Sequence, residues 1–193
     1  MQVSLSGEFP TKAQPILRTA HISDCGRYRF KLTRIWRTDK PLLVTCMLNP
    51  STADAERDDP TIRTLIHFGK AWGYGGLMVV NLFALRTPSP KELLATAFDD
   101  RKGMKSVNAT HVSEALTYAR HTSGRALAAW GNVHPHLIND TNGVLHLAHQ
   151  HYVNLVCLGI TANGFPKHPM ARGTHRIAAD QQPISFRPAR VKV

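Results

Sequence analysis

The sequence predicts an α/β fold with three layers, in which helices cover both faces of a central, mostly parallel four-stranded sheet. Four short apolar segments have the length of buried strands, helical segments separate them, and loops containing Asn, Gly or Pro follow them. With 193 residues, the chain is long enough for one substantial core. We therefore treat residues 1–193 as a single domain, with an irregular lead-in at 1–27 and a basic tail at 181–193.

The first half of the chain predicts an edge strand, a buried strand and a helix. Apolar and polar residues alternate over 28–36, which is typical of a half-exposed strand at the edge of a sheet. Residues 42–48 are continuously apolar, as in a central strand, and Asn-Pro-Ser follows at once. Asp59 and Pro60 match the N-cap and first turn of a helix, whose apolar spacing continues until Gly73.

The second half repeats the alternation of strand and helix. Ser89, Pro90 and Glu92 form the pattern of a capping box with proline at the first helical position. We expect this helix to continue through residue 97. The other elements predicted here are buried strands at 77–83, 126–130 and 152–158 and helices at 108–121 and 144–149.

The loops that follow the four buried strands are the predicted location of a ligand site. In open α/β sheets, ligands collect beyond the carboxyl ends of the strands, where the connecting loops meet. The segments at this edge are residues 49–54, 81–86, 130–134 and 166–172.

The charge balance favours a nucleic-acid partner. Lys and Arg number 24 against 13 for Asp and Glu, which gives a formal net charge of +11. Such an excess of positive charge is typical of proteins that bind a phosphate backbone. We expect DNA as the partner, with the basic tail either a solvated end or a DNA-contacting arm. No obligatory protein partner is evident from the sequence.

Membrane segments, disulfides and metal sites have no signature in this sequence. No apolar run reaches the roughly 20 residues needed to cross a bilayer, and the first residues lack the apolar centre of a signal peptide. We therefore expect a cytoplasmic protein that does not bind membranes. The three cysteines never form C-x-x-C, and the histidines show no H-E-x-x-H spacing. We expect no metal and no cofactor.

Short motifs stand at the four strand ends. They are Met-Leu-Asn-Pro-Ser at 47–51, Leu-Met-Val-Val-Asn at 77–81, Leu-Ala-Ala-Trp-Gly at 127–131 and Lys-His-Pro-Met at 167–170. In this order they resemble the uracil-DNA glycosylase superfamily, whose members carry a G-x-N-P or G-Q-D-P loop, strands ending in Asn and in Trp-Gly, and an H-P-S loop. A more local match, through L-N-P-S-T-A-D, D-D-P-T, V-N-L-F-A-L-R and P-x-H-P, is to an uncharacterised family of bacterial and phage proteins. That match covers residues 42–172.

The resemblance implies a pocket that receives a pyrimidine rotated out of the DNA stack. In this pocket, the Asn81 amide corresponds to the group that donates to and accepts from the base at N3 and the 4-substituent. Pro50, Ser51 and Phe83 complete the expected base-binding set. The alternative for Asn81 is a turn asparagine whose side chain is satisfied by its own loop.

The resemblance also implies which residues handle the reacting groups. His168 corresponds to the residue that hydrogen-bonds the pyrimidine O2 as the base departs; an exposed loop histidine is the alternative. Asn49 corresponds to the position that handles the attacking water. Because an amide takes up no proton near neutral pH, Asn49 orients the water without serving as its general base. Asp54 is the carboxylate expected to assist, since Asp59 is more simply explained as a helix cap.

Two departures from the superfamily pattern concern the substrate and the DNA contacts. Ser51 stands where uracil-specific members have a Tyr that blocks pyrimidine C5, so the pocket has room for a C5-modified base, such as the hydroxymethylated or glucosylated pyrimidines of phage DNA. Met170 replaces the second Ser of the final loop, which removes the usual phosphate clamp and supplies an apolar wedge. We expect Met170 to contact DNA together with Arg86, Lys167 and Arg172.

These residues predict a monofunctional DNA glycosylase. It would hydrolyse the N-glycosidic bond of a flipped-out pyrimidine and leave an abasic site, in base-excision repair or in defence against phage. The alternatives are a non-catalytic reader of a base or nucleotide and a base-modification enzyme of phage DNA. Asn49 and His168 together favour the glycosylase, because a reader needs Asn81 but neither of the other two.

Overall fold

The computed structural model describes residues 17–96 and 101–187, which form a seven-stranded sheet and four α-helices. The strands are β1 Leu17–Ile22, β2 Arg29–Ile35, β3 Leu42–Met47, β4 Gly76–Asn81, β5 Arg125–Ala128, β6 Asn154–Cys157 and β7 Ile184–Ser185. The helices are α1 Pro60–Ala71, α2 Pro90–Thr96, α3 Arg101–Thr122 and α4 Ile138–Gln150, with short 3-10 helices at Pro135–Leu137 and Gly173–His175. Within these residues, no helix combines the length and the apolar character needed to span a membrane.

The sheet is mixed, and its strand order is β1-β2-β4-β3-β5-β6-β7. The four buried strands expected from the sequence, β3 to β6, pair with one another in parallel. The remaining pairings, β1 with β2, β2 with β4 and β6 with β7, are antiparallel. The expected mostly parallel four-stranded sheet with one edge strand is therefore corrected to a mixed sheet of seven strands.

Two of these strands lie in segments that the sequence predicts as irregular. β1 falls in the lead-in at 1–27, and its residues alternate between exposed and half-buried, so it has no continuous apolar signal. β7 falls in the tail at 181–193 and has two exposed residues, too few to show a periodicity. Phe186 beside it is buried and packs edge-on against Trp130. The parts of both segments at 1–16 and 188–193 lie outside the described residues.

The sheet separates two hydrophobic clusters, because consecutive strand residues point to opposite faces. In β3, Val44 and Cys46 belong to the cluster covered by α2, α3 and α4, whereas Leu43 and Met47 belong to the cluster covered by α1. We call these faces the α3 side and the α1 side. Every residue of β3 is buried, as expected of a strand with helices on both faces.

Helix α1 follows the predicted boundaries closely. The side chain of Asp59 accepts a hydrogen bond from the Ile62 N–H at 2.9 Å, and Pro60 occupies the first turn. The helix ends at Ala71, just before Gly73, whose φ is +79°. The cap places Asp59 at the carboxyl edge of the parallel strands, in the loop that β3 feeds.

Helices α3 and α4 begin earlier than predicted, at Arg101 instead of 108 and at Ile138 instead of 144. Their first turns are mainly polar, so the apolar spacing that marks a helix in the sequence starts only later. An ion pair of 2.8 Å between Lys105 and Asp140 joins these two polar segments. The polar first turns of α3 and α4 are thus joined by an ion pair between distant parts of the chain, which the local sequence pattern does not indicate.

A β-bulge in β2 turns two arginines toward the same face. Ile22 pairs with Arg29 while His21 pairs with Lys31, so one extra residue lies between the paired positions on β2. Arg29 and Arg34 would face opposite sides of an uninterrupted strand. With the bulge, both are buried against the loop between β3 and α1.

Candidate functional site

The residues predicted for the site lie around the carboxyl edge of the parallel strands. The chain leaves β3 toward α1 on one face and leaves the neighbouring β5 toward α4 on the other. Such a switch point leaves a crevice between the diverging loops, which is where ligands bind in open α/β sheets. The loop after β6 folds back onto this crevice, because the Gly131 N–H donates to the carbonyl of Pro166 at 3.0 Å.

Asn81 ends β4, at the carboxyl edge of the parallel strands, and carries an unpaired buried amide. It pairs with Met47 of β3 and continues the alternation of Leu77 and Val79 toward the α1 side. Its side chain is fully buried, and neither Oδ1 nor Nδ2 has a hydrogen-bond partner among the described residues. Asn108 Nδ2 donates to the backbone carbonyl of Asn81 at 2.9 Å, so the backbone is held while the amide stays unsatisfied. Leaving a buried polar group unpaired costs about 1–3 kcal/mol, which a ligand that donates and accepts would offset.

Asn49 joins the loop after β3 to the loop after β4. Its Nδ2 donates to the carbonyls of Thr87 at 2.6 Å and Pro50 at 3.0 Å, with a longer contact of 3.5 Å to Leu85. These contacts fix the orientation of the amide. No described residue donates to Oδ1, which is therefore the atom that can accept from a water or a ligand.

His168 is half-buried in the loop after β6, and its hydrogen bonding assigns its tautomer. Nδ1 accepts from the backbone N–H of Met170 at 3.1 Å, so the proton of the neutral ring lies on Nε2. Burial lowers the pKa of His168 below its ordinary value, and the charge of Asp59 opposes this shift. At neutral pH the ring is therefore an uncharged donor, suited to an oxygen that gains negative charge.

Gly131 sets how closely the His168 loop approaches the end of β5. Its φ is +77°, in the left-handed region that glycine adopts without strain. A Cβ at this position would lie 3.2 Å from the Cβ of His168. Two properties therefore favour glycine after Trp130 at this strand end: its positive φ, and the short distance between its backbone and His168.

Asp54 is stabilised by its own loop. Its Oδ1 accepts from the backbone N–H groups of Arg57 and Glu56, both at 2.8 Å, and these bonds lower the pKa of Asp54. A carboxylate stabilised in this way is a weak base, so the environment of Asp54 does not favour its predicted auxiliary role.

Asp59 has the better surroundings for that role, although the sequence indicates only a helix cap. One of its oxygens accepts the cap bond from Ile62, and its charge acts on both His168 and Arg29. The cap is compatible with these interactions with the His168 ring and the Arg29 guanidinium, because the second carboxylate oxygen takes no part in the cap. In the described part of the chain, no three His, Cys, Asp or Glu side chains form a group that could hold a metal ion.

Arg29 is a buried cation that sequence reasoning misses. It is 2% exposed, and its Nη1 donates to the carbonyl of Ala53 at 2.7 Å. Burial lowers the pKa of Arg29 to about 10, against the opposing charge of Asp59, so the guanidinium remains charged at neutral pH. Its Nε has no partner within the described residues. The alternation over 28–36 places Arg29 on the polar face, and nothing in that pattern marks the bulge that buries it.

The expected base-binding set is only partly brought together. Pro50 is buried, its carbonyl accepts from the Thr87 N–H at 2.9 Å, and half-buried Ser51 follows it in the same loop as Asn49. Phe83 is also buried, but it belongs to the cluster on the α3 side, away from the face that Asn81 follows.

The four predicted DNA contacts lie at two ends of the site. Half-buried Arg86 donates from Nη1 to the carbonyl of Gly26 at 3.0 Å, near the turn between β1 and β2. Lys167 is half-buried beside His168. Met170 is 37% exposed, and it lines a groove beside α1 together with exposed Arg172.

Comparison with protein families matched residues 29–170 to a family described as "Protein of unknown function (DUF1643)". The match begins at the first residue of β2 and includes Asn49, Asn81 and His168. The expected match to an uncharacterised family is thereby confirmed, while the resemblance to the uracil-DNA glycosylase superfamily stays a prediction. No curated protein and no solved structure matched the chain.

Proposed function

This chain belongs to the DUF1643 family of proteins of unknown function, and we propose that it is a monofunctional DNA glycosylase acting on a flipped-out pyrimidine. The observation that carries the proposal is the unpaired amide of Asn81, fully buried at the end of a central strand. An amide held in this way presents one donor and one acceptor, which a pyrimidine matches at N3 and its 4-substituent. The resemblance to the uracil-DNA glycosylase superfamily assigns the same task to this position.

The chemistry proposed for the site is hydrolysis of the N-glycosidic bond. The electron pair of that bond leaves with the base, and water adds its oxygen to the sugar carbon and releases a proton that finally neutralises the departed base. The Nε2–H of His168 would stabilise the negative charge that develops on the pyrimidine O2. The Oδ1 of Asn49 would orient the water. Asp59 would supply the carboxylate near the developing positive charge, because its surroundings suit that role better than those of Asp54.

The substrate proposed is a pyrimidine that can carry a substituent at C5. Ser51 is small and half-buried in the loop that also holds Asn49 and Pro50. The superfamily resemblance places this position next to C5, where uracil-specific members have a blocking Tyr. Room at this position supports hydroxymethylated or glucosylated pyrimidines as substrates.

The test is incubation of the full chain with duplexes that contain uracil, a mismatch or a C5-modified pyrimidine, followed by hot alkali to cut abasic sites. We expect cleavage at one class of base and loss of base preference in Asn81→Ala, by about 1–3 kcal/mol. Asn154→Ala, which changes an exposed asparagine at the amino end of β6, is the matched control and should keep the preference. Base-specific binding without any cleavage would instead identify a reader, and retained preference in Asn81→Ala would place recognition elsewhere.

A further inference from the structure

A groove lies between α1 and residues 169–179, next to the candidate site. It encloses about 690 Å³ and is open to solvent. Pro60 and Pro169 line it, and these residues directly follow Asp59 and His168 in the chain. The groove therefore begins where the candidate site ends.

The rim of the groove is basic. Arg63, Arg172, Arg176 and His67 line it, and no Asp or Glu is among the described lining residues. The Nη1 of Arg63 is held by the carbonyl of Asp58 at 2.6 Å. Arg172 and Arg176 are exposed, and their side chains make no hydrogen bond or ion pair with another described residue, so both guanidinium groups are available to a partner.

The floor of the groove is apolar, and no Phe, Tyr or Trp ring is exposed among its described lining residues. Phe68 is 2% exposed and stacks on Trp72, so its ring cannot receive a base. Met170 lies against α1, with its sulfur accepting from the Thr64 hydroxyl at 3.3 Å. Proteins that hold single-stranded bases need stacking platforms, whereas contacts to the sugar-phosphate backbone need cationic side chains. The composition of this groove fits a backbone better than bases.

We propose that the groove holds the phosphodiester backbone of the DNA strand that flanks the extruded nucleotide, with Arg172 and Arg176 as its phosphate contacts. The inference rests on the proposed function, since it takes DNA as the partner. It adds Arg176 and the exposed face of α1 to the interface and sets the direction in which the strand leaves the site. Positive charge at the rim attracts any polyanion, so the experiment has to distinguish DNA from an acidic protein segment.

The experiment measures binding of a duplex with a central tetrahydrofuran abasic-site analogue, which has no base for Asn81 to contact. Arg176→Ala should weaken binding about 10-fold and lower the slope of log affinity against log salt by about 1, because one phosphate contact is lost. The matched control is Arg125→Ala, which removes another exposed arginine, at the amino end of β5 and therefore at the end of the strands opposite to the site. It should leave both quantities unchanged.

The outcomes separate the two proposals. If Arg176→Ala and Arg125→Ala bind alike while the wild-type chain binds and cleaves DNA, the groove inference is wrong and the proposed function stands. If the wild-type chain binds no DNA, the proposed function fails. Unlabelled DNA and polyglutamate are compared as competitors of the bound duplex. If polyglutamate displaces the duplex as effectively per charge, the groove is a general polyanion surface and the inference is also wrong.

A cross-linking measurement locates the strand directly. In a Cys25→Ser background, Thr64→Cys places a thiol in the groove, and Thr110→Cys places one on the exposed face of α3. Duplexes carry a tether that ends in a mixed disulfide, on a phosphate either 5′ or 3′ of the abasic analogue, so that a protein thiol can displace the leaving thiol. We expect a disulfide between Thr64→Cys and the tether on one side only, and none with Thr110→Cys. Equal yields at the two positions would contradict a defined path through the groove.

Discussion

Two asparagines at neighbouring strand ends differ in what their amides bind. The Nδ2 of Asn49 donates to backbone carbonyls of two loops, so this residue connects the loops in addition to its proposed contact with water. Asn81 makes no such bonds, although its side chain is buried completely. An unpaired buried amide lowers the stability of the fold, and a ligand that pairs with it recovers that loss on binding. Under the proposed function, this difference favours recognition by Asn81 and water positioning by Asn49.

His168 provides the sharpest test of catalysis at the residue scale. If its Nε2–H stabilises charge only as the base departs, His168→Ala should slow single-turnover cleavage on the order of 100-fold, about 3 kcal/mol, with the DNA dissociation constant nearly unchanged. Burial lowers the pKa of His168, so the neutral donor persists at neutral pH and the ring gains a proton only below its ordinary pKa, near 6.5. A contribution that needs the neutral ring should therefore fall away as the pH drops through that lowered pKa.

Rate and affinity measured together decide the role of His168. His146, an exposed histidine of α4 on the α3 side of the sheet, offers a control substitution to Ala that should change neither quantity. Equal losses of rate and binding in His168→Ala would show that the loop only contacts DNA.

Local sequence signals predict some of these residues and miss others. The cap at Asp59 follows from its position before Pro60, because capping depends on a few consecutive residues. Its relation to His168 depends on how two distant loops meet, and no local pattern contains that information. Arg29 is hidden for a related reason, since a single inserted residue in β2 reverses the face on which it lies.

At the scale of elements, the loop between β3 and α1 is held by arginines of β2. Arg34 is 0% exposed; its Nε donates to Asp58 at 2.7 Å and its Nη2 to the carbonyl of Asp54 at 2.5 Å. Arg29 donates to the carbonyl of Ala53 from the same face. Two buried guanidinium groups thus replace the regular hydrogen bonds that an irregular segment lacks.

Removing Arg34 should destabilise the protein strongly. Arg34→Leu leaves the largely buried Asp58 with Arg18 as its remaining partner and removes the donor from four backbone carbonyl groups. We expect a loss of about 3 kcal/mol in the free energy of unfolding. The control is Arg37→Leu, which breaks an exposed pair with Asp39 and should leave the urea midpoint nearly unchanged. Equal midpoints for the two variants would mean that the buried contacts do not hold the loop.

Gly131, just after the end of β5, tests whether the position of His168 affects the rate of the proposed reaction. Gly131→Ala should cost about 1–2 kcal/mol because its φ is +77°, and it should also slow cleavage because the new Cβ would crowd His168. Gly124→Ala is the matched control, with a φ of +67° and no atom within 4 Å of the added Cβ. It should lose similar stability in urea unfolding and keep the wild-type rate per folded molecule. If both variants cleave alike, contact with Gly131 does not position His168.

The central elements are the ones that the sequence predicts best. β3 to β6 carry apolar runs and α1 carries both a cap and an amphipathic face, so local composition and tertiary burial agree there. β1 and β7 are stabilised by pairing with strands already in place, which requires no apolar pattern of their own. The sequence thus predicts the elements that carry the site, but it does not predict the contacts between those elements.

At the scale of the whole molecule, the net charge of +11 predicts binding that depends on salt. For about six phosphate contacts, affinity for DNA should fall on the order of 1000-fold between about 50 and 200 mM salt, because binding releases condensed counterions. Fluorescence anisotropy with labelled duplex measures this slope, and urea unfolding at the same salt concentrations verifies that the fold is unchanged. A dissociation constant independent of salt would count against a DNA partner.

The position of β3 also has a consequence for synthesis on the ribosome. β3 lies in the middle of the sheet, but one of its two neighbours, β5, follows it only after β4, α2 and α3 have been made. At about 5–20 residues per second, the interval between the end of β4 and the end of β5 is about 2–9 s. During that interval the nascent chain carries a mainly apolar strand with one unpaired edge, which is a template for association with other chains. Nascent chains that stop between α2 and β5 should therefore depend on chaperones, and that dependence should end once β5 has left the exit tunnel.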